Sequence, residues 1–321
     1  MLAVVLACLA VLGACSSDSG GGAVAGRSAP PTAPGRPSTP VPTVPATTLA
    51  NTGPGAIVSP RGVVLAVLER QSAGWRVRTP CGRVVSVTTG TPVPGVSVVL
   101  DPGHGGNEPG AISPGGGLSE APLNLEVAGH TRAALEAAGV SVLMTRTGGY
   151  DVTLSTRAEI ARSLGPRALV SIHHNAEPDG AMPGPGSETY YQVDSADSKR
   201  LAGLIQEEVV RALSTYRVAW VGDRDAGAKY RRGTKADYYA MLRQPRPVVS
   251  VLAELAFISN PPEAQLLARP EVQQVEGRAV AAGILRYLTT SEPGSGFVEP
   301  YPRPDPPPTP GTAPPCVDPP L

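Results

Sequence analysis

The 321-residue sequence predicts an α/β domain with a mostly parallel central sheet flanked by helices, preceded by a small N-terminal antiparallel β module. Three observations carry this expectation. Between residues 96 and 290, short apolar runs alternate with stretches of helical periodicity, the pattern of a doubly wound sheet. Those runs end in loops rich in Gly, Pro or His, as strands of a buried parallel sheet do. Residues 56–95 instead hold three short β-like runs, Val63 to Leu68, Trp75 to Arg78 and Val84 to Val87, separated by Ser/Gly and Pro-Cys-Gly turns.

Taken in order, residues 1–15 read MLAVVLACLAVLGAC. The apolar run is too short to span a bilayer and suits the core of a secretory signal. Its Leu12-Gly13-Ala14-Cys15 ending looks like a bacterial lipoprotein signal, although no Lys or Arg precedes the run. The expectation is export, with a lipidated Cys15 tethering the protein to the outer face of the cytoplasmic membrane. Residues 16–55 are Ser, Gly, Pro, Thr and Ala with almost no large apolar side chain, so they cannot bury enough surface to offset ordering entropy and read as a tether. The 56–95 module reads as an appendage packed on the main domain or as a cell-wall-binding unit. The main domain is placed at 96–290, and the Pro-rich stretch 291–321 is read as a tail.

Within the main domain, Val98 to Leu100 is a strand running into Asp101-Pro102-Gly103-His104-Gly105-Gly106. Ser119 is placed to cap a helix with Glu120 in its first turn, and Gly139 closes that helix. Val140 to Met144 is a second strand, and Ala158 to Ala161 lies in a second helix. Ala168 to Ile172 is a strand leading to His173-His174-Asn175. Leu201 to Leu213 is a third helix, Val248 to Ala253 a strand leading to Glu254, and Val280 to Leu288 a last helix. With 41% hydrophobic residues the chain can bury one sizeable domain. A formal net charge of zero and 4% aromatic residues argue against nucleic acid as a partner.

Four chemically capable groups, His104, Glu120, His173 and Glu254, fall at strand ends or at a helix start, where sites form in open α/β sheets. Two imidazoles and one carboxylate make a catalytic zinc set with a fourth position for water, and a further carboxylate can move the proton. Spacing alone does not decide which carboxylate does which. Adjacent His173 and His174 point to opposite faces of a strand, so at most one binds a metal. His130 lies well off the apolar stripe of its helix and is expected to be solvated.

DPGHGGNEPGAI, Glu120 sixteen residues after His104, MTRT, SIHHNA and LAELAFISNPPEAQLL together resemble the zinc-dependent N-acetylmuramoyl-L-alanine amidases of the Amidase_3 family, from about Val96 to Leu288. The resemblance implies a zinc amidase fold and a Zn2+ ion held by His104, Glu120 and His173, with Glu254 as catalytic general base and acid. It also implies peptidoglycan as substrate, cut at the amide between N-acetylmuramic acid and L-alanine. Ala121 stands where the family usually has Lys, and Glu108 where an Asp is common. Glu126 competes with Glu120 as ligand but lies inside the helix. A zinc carboxypeptidase acting on stem peptides and a non-catalytic wall-binding protein remain the alternatives, and the sequence names no activator.

Cysteine arithmetic gives one more expectation. Cys8 falls in the signal and Cys15 carries lipid, which leaves Cys81 in the β module and Cys316 in the tail. Outside the cytoplasm such a remainder tends to pair, predicting a Cys81–Cys316 disulfide that brings the tail back onto the module.

Overall fold

The structure, a computed structural model, describes residues 53–234, 236–303 and 315–321. The signal, Cys15 and nearly all of the 16–55 tether lie outside the described residues. Among the described residues, no helix is long and apolar enough to cross a membrane.

Residues 56–93 form a five-stranded antiparallel sheet of β1 (Ala56–Val58), β2 (Val64–Gln71), β3 (Gly74–Arg78), β4 (Val84–Val87) and β5 (Thr91–Val93), in the order β4-β3-β2-β1-β5. The three runs visible in the sequence are β2, β3 and β4. Strands β1 and β5 have three residues each, too few to show a period. One face of this sheet closes its own small core on Ile57, Leu65 and Val77. Ala56, Val64 and Ala66 on the other face join Val99, Leu143, Ile160 and Leu169 in a shared core, so the module is packed into the main domain and not hung beside it.

The main domain follows as β6 (Val98–Pro102), α1 (Glu120–Ala137), β7 (Val142–Met144), α2 (Leu154–Leu164), β8 (Ala168–Asn175), β9 (Gly180–Ala181), β10 (Glu188–Tyr191), α3 (Ala196–Leu213), β11 (Val221–Gly222), β12 (Ala228–Lys229), α4 (Ala240–Arg243), β13 (Ser250–Phe257), α5 (Pro261–Leu267) and α6 (Pro270–Thr289). Six strands make one sheet, β12-β10-β13-β8-β6-β7, parallel throughout except where β10 runs against β13. Along β6, Val98 and Leu100 face the layer of α1, α3 and α6, while Val99 faces α2, α4 and the β module. That period of two with both faces covered is why the strands read as unbroken apolar runs.

Several elements differ from expectation. Strands β8 and β13 continue past the apolar run, so His173, His174 and Glu254 sit inside strands and not after them. Helix α6 starts ten residues earlier than its apolar stretch suggests, on Pro270 at its first turn. Its early turns carry Glu276 and Gly277 inward, and a side chain at Gly277 would run into the Cβ of His130 at 2.5 Å. His130 is therefore half-buried between α1 and α6, not solvated as its helix angle alone suggested.

Cys81 and Cys316 are bonded, with Cα atoms 5.5 Å apart across 235 residues of sequence. Closing a loop of that length is worth up to about 5 kcal/mol from restricted unfolded-chain entropy.

At the carboxyl end of β6, Asp101 is buried and accepts from Thr145 Oγ1 at 2.5 Å, Ser171 Oγ at 2.7 Å and Arg157 Nη1 at 2.8 Å. Burial works against its charge, but Arg157 and the two hydroxyls overrule it and hold the carboxyl below its ordinary value of 3.8. A folded value below the unfolded one means that this contribution to stability is full above the unfolded value and is lost as pH falls through the folded one. Asp101→Ala leaves Arg157 buried and unpaired, so urea unfolding at neutral pH is expected to show a loss of about 3–5 kcal/mol, the usual cost of breaking a buried pair on one side.

Candidate active site

The loop after β6 is built to present His104. Its backbone sits at φ 60°, the left-handed region, which costs a non-glycine residue on the order of 1 kcal/mol. Two buried arginines secure it. Arg146 donates to the carbonyls of Pro102 (3.0 Å), Gly103 (2.8 Å) and Ala121 (2.7 Å), and Arg157 to those of Pro102 (2.7 Å) and His104 (2.6 Å). Two glycines are sterically required. A Cβ on Gly103 would occupy the ring of His173, and one on Gly110 (φ 70°) would meet Glu120 Oε2 at 2.5 Å and His104 Cδ2 at 2.7 Å.

Glu120 opens α1, and Ser119 stands at the N-cap position without a side-chain capping bond. The expected serine cap is replaced by loop carbonyls: Glu120 N–H donates to Ala111 O and Ala121 N–H to Pro109 O, each at 2.9 Å. The Glu120 carboxylate is buried between the two histidines. Its Oε2 lies 3.1 Å from His104 Nε2 and accepts from Ala111 N–H at 2.9 Å. Its Oε1 lies 2.9 Å from His173 Nδ1 and accepts from His174 N–H at 3.1 Å and Asn124 Nδ2 at 3.2 Å. Burial opposes its charge, but the bonds to His104 and His173 prevail and push its pKa far down. Burial likewise disfavours charge on His104, yet Glu108 and Glu120 raise it to about 9.

One donor atom each from His104, Glu120 and His173 falls within 4.8 Å of the others, and two imidazoles with one carboxylate suit Zn2+. Glu126 is exposed on α1 and takes no part in this set. His174 points the other way, as strand alternation requires. Its Nδ1 is 2.8 Å from Asn124 Oδ1 and its Nε2 3.4 Å from the buried Glu276, so it supports Glu120 through Asn124.

Glu254 is paired in register with His173 across β13 and β8. The residue is half-buried, and its Oε2 is shut away from solvent with no hydrogen-bond partner among the described residues. Burial, with the charges of Glu120 and Glu188 nearby, raises its pKa well above the ordinary carboxylate range. The register of β10 against β13 sets Glu188 opposite Glu254. Sequence reading missed Glu188 because nothing local marks it. It is fully buried, bonded to Lys229 Nζ at 2.5 Å and Tyr190 Oη at 2.7 Å, and burial lifts it to about 7 despite Lys229. Glu188, Asp223 and Asp225 could also gather round a cation, but Lys229 Nζ (2.8 Å from Asp225) and Arg303 (2.8 Å from Asp223, 2.7 Å from Asp225) already fill that role.

The histidines open onto a cavity of about 640 Å³ whose other lining includes Glu108, Asp151, Arg157 and Met241.

The family described as N-acetylmuramoyl-L-alanine amidase, Amidase_3, matches residues 98–286. An uncharacterized protein of Bacillus subtilis, YqiI, is 34% identical over 219 residues, 66% of this chain and 97% of that one. The N-acetylmuramoyl-L-alanine amidase LytC of the same organism is 35% identical over 61% of this chain, which spans only 36% of that relative. The crystal structure of an N-acetylmuramoyl-L-alanine amidase from Clostridium difficile 630 superposes with a TM-score of 0.52 at 30% identity, covering 62% of this chain and 99% of that one.

The donor set leads to a direct measurement. Purified protein is expected to carry stoichiometric zinc by elemental analysis, and His104→Ala is expected to lose it. Full retention of zinc in that variant would contradict the assignment.

Proposed function

The chain belongs to the Amidase_3 family of N-acetylmuramoyl-L-alanine amidases, and on that premise we propose that it hydrolyses peptidoglycan at the amide joining N-acetylmuramic acid to L-alanine of the stem peptide. The observation that carries this reading is the convergence of His104, Glu120 and His173 beside Glu254, whose buried Oε2 has no hydrogen-bond partner among the described residues. His104, Glu120 and His173 would hold Zn2+, which supplies a Lewis acid for the amide carbonyl and lowers the pKa of water.

The protein's own groups do the rest. Glu120, kept ionised by its two histidines, fixes both imidazoles in place. Arg146 and Arg157 hold the backbone that carries His104. Glu254, whose Oε2 has no competing bond among the described residues, takes the proton from the attacking water and returns it to the departing nitrogen of L-alanine. Its raised proton affinity suits a group that must carry a proton between those two steps.

Cell-wall amidase relatives imply an exported protein. The finer reading is that the Leu12-Gly13-Ala14-Cys15 ending directs lipidation of Cys15 and holds the enzyme at the outer face of the cytoplasmic membrane. Metabolic labelling with a clickable fatty acid should then tag the native protein but not Cys15→Ala, and an unlabelled native protein would favour simple secretion.

Mass spectrometry of digested peptidoglycan tests the activity. The amidase reading expects free glycan with intact stem peptides, a carboxypeptidase would give shortened stems, and a wall-binding protein no change. In the same assay Glu254→Gln should keep its zinc and fold yet lose about 10²–10⁴-fold in rate, the contribution of a general acid–base. Turnover within a few-fold of wild type would remove Glu254 from that role.

A further inference from the structure

The family match spans residues 98–286, yet one lining residue of the catalytic cavity, Cys316, lies outside those limits. Cys316 lines the cavity together with His104 and His173. It is held there by its bond to Cys81, in the turn between β3 and β4. The adjoining residues add to the hold. The Asp318 carboxylate, its side chain only 4% exposed, accepts from Cys81 N–H at 2.7 Å, Thr79 Oγ1 at 2.8 Å and Arg83 Nε at 2.6 Å. The Pro315 carbonyl accepts from Asn107 Nδ2 at 3.2 Å, on the loop that carries His104. The turn itself is seated on the start of α2, where Thr153 N–H donates to Pro80 O at 2.9 Å and Thr156 Oγ1 to Thr79 O at 3.3 Å.

A covalent bond, a nearly buried carboxylate with three donors and a contact to the His104 loop thus fix residues 315–318, with Cys316 lining the cavity. A segment held only to keep it tidy would not need to reach the cleft. The cavity, about 640 Å³, is of the size that encloses a single small ligand. Asp151 and Glu108 also line the cavity, and Asp151 accepts from the N–H of Asn107, the residue whose side chain bonds to the Pro315 carbonyl, so polar groups meet a peptide there.

From this, and resting on the amidase reading, we propose that Pro315–Asp318, pinned by the Cys81–Cys316 bond, form a specificity-determining side of the substrate cleft that admits single stem peptides and disfavours cross-linked ones. A second peptide joined to the first has to pass the fixed backbone at Pro315 and Cys316, and releasing that backbone widens the cleft.

The test compares kcat/KM on soluble glycan–peptide fragments with and without peptide cross-links, for wild type, Asp318→Ala and a Cys81→Ser/Cys316→Ser double variant. Wild type should prefer the uncross-linked fragments. The double variant should raise the ratio of cross-linked to uncross-linked cleavage about tenfold, the low end of what one pocket contact contributes to discrimination. Asp318→Ala should shift the ratio in the same direction. An unchanged ratio in a double variant that is folded by circular dichroism overturns the proposal. Should the double variant not fold, the ratio in Asp318→Ala and in wild type treated with a mild thiol reductant decides on the same terms. Cleavage with an unchanged ratio sinks this proposal alone, whereas no cleavage of either fragment by wild type sinks the amidase reading and this proposal with it.

Discussion

The buried pair of Asp101 and Arg157 is the interaction on which the site depends. Through Asp101 it joins β6, the end of β7 and the middle of β8, since Thr145 and Ser171 bond to the same carboxylate. Through Arg157 it reaches α2 and the carbonyls of Pro102 and His104. A charge pair taken out of water costs several kcal/mol of desolvation, and only full hydrogen bonding makes it tolerable. Arg157 meets that condition with Val152 O as well, so its guanidinium is spent on structure although it borders the cavity. The return on this arrangement is positional. His104 stands at a left-handed backbone angle, and the arginines hold it there through the carbonyls of Pro102, Gly103 and His104.

Glu120 plays the matching part on the opposite side. Each of its oxygens faces one histidine and one backbone N–H, from Ala111 and His174. A carboxylate at the start of a helix is also favoured by the helix dipole. Behind it, Asn124 and His174 extend the hydrogen-bonded contacts from the ligand, and the buried Glu276 on α6 lies 3.4 Å from His174 Nε2. The two histidines of the SIHHNA stretch therefore divide their duties by strand geometry: one faces the cleft, and the next braces the carboxylate that the first one touches.

How much of this was legible in the sequence follows from which signals are local. Apolar runs ending in glycine and histidine located β6 and β8, because a strand end and a turn are written in adjacent residues. His104 and His173 stood out by following such runs and Glu120 by opening a helix, while the choice of Glu120 as ligand rested on the family resemblance. The Cys81–Cys316 bond was reachable by elimination, since only two cysteines remain beyond residue 15. Strands β9, β11 and β12 are two residues long and leave no period to detect. Glu188 was invisible because its significance comes from register against Glu254 and from Lys229, 41 residues away. His130 was misplaced because a helical wheel places a residue on one helix and cannot show that Gly277 of another helix will approach it.

Those non-local groups settle the electrostatics of the site. Burial raises the proton affinity of Glu254, and the charges of Glu120 and Glu188 nearby add to it. If all three carboxylates were left unpaired, none would be distinguished from the others. Glu120 is matched by two imidazoles, and Glu188 by Lys229, which Asp225 shares and Arg303 extends. Of these three, only Glu254 has a buried oxygen with no hydrogen-bond partner among the described residues. Environments that push neighbouring carboxyl groups apart in proton affinity are what separate a ligand from a proton carrier. The chain achieves that separation by supplying counter-ions to two of the three and withholding one from the last.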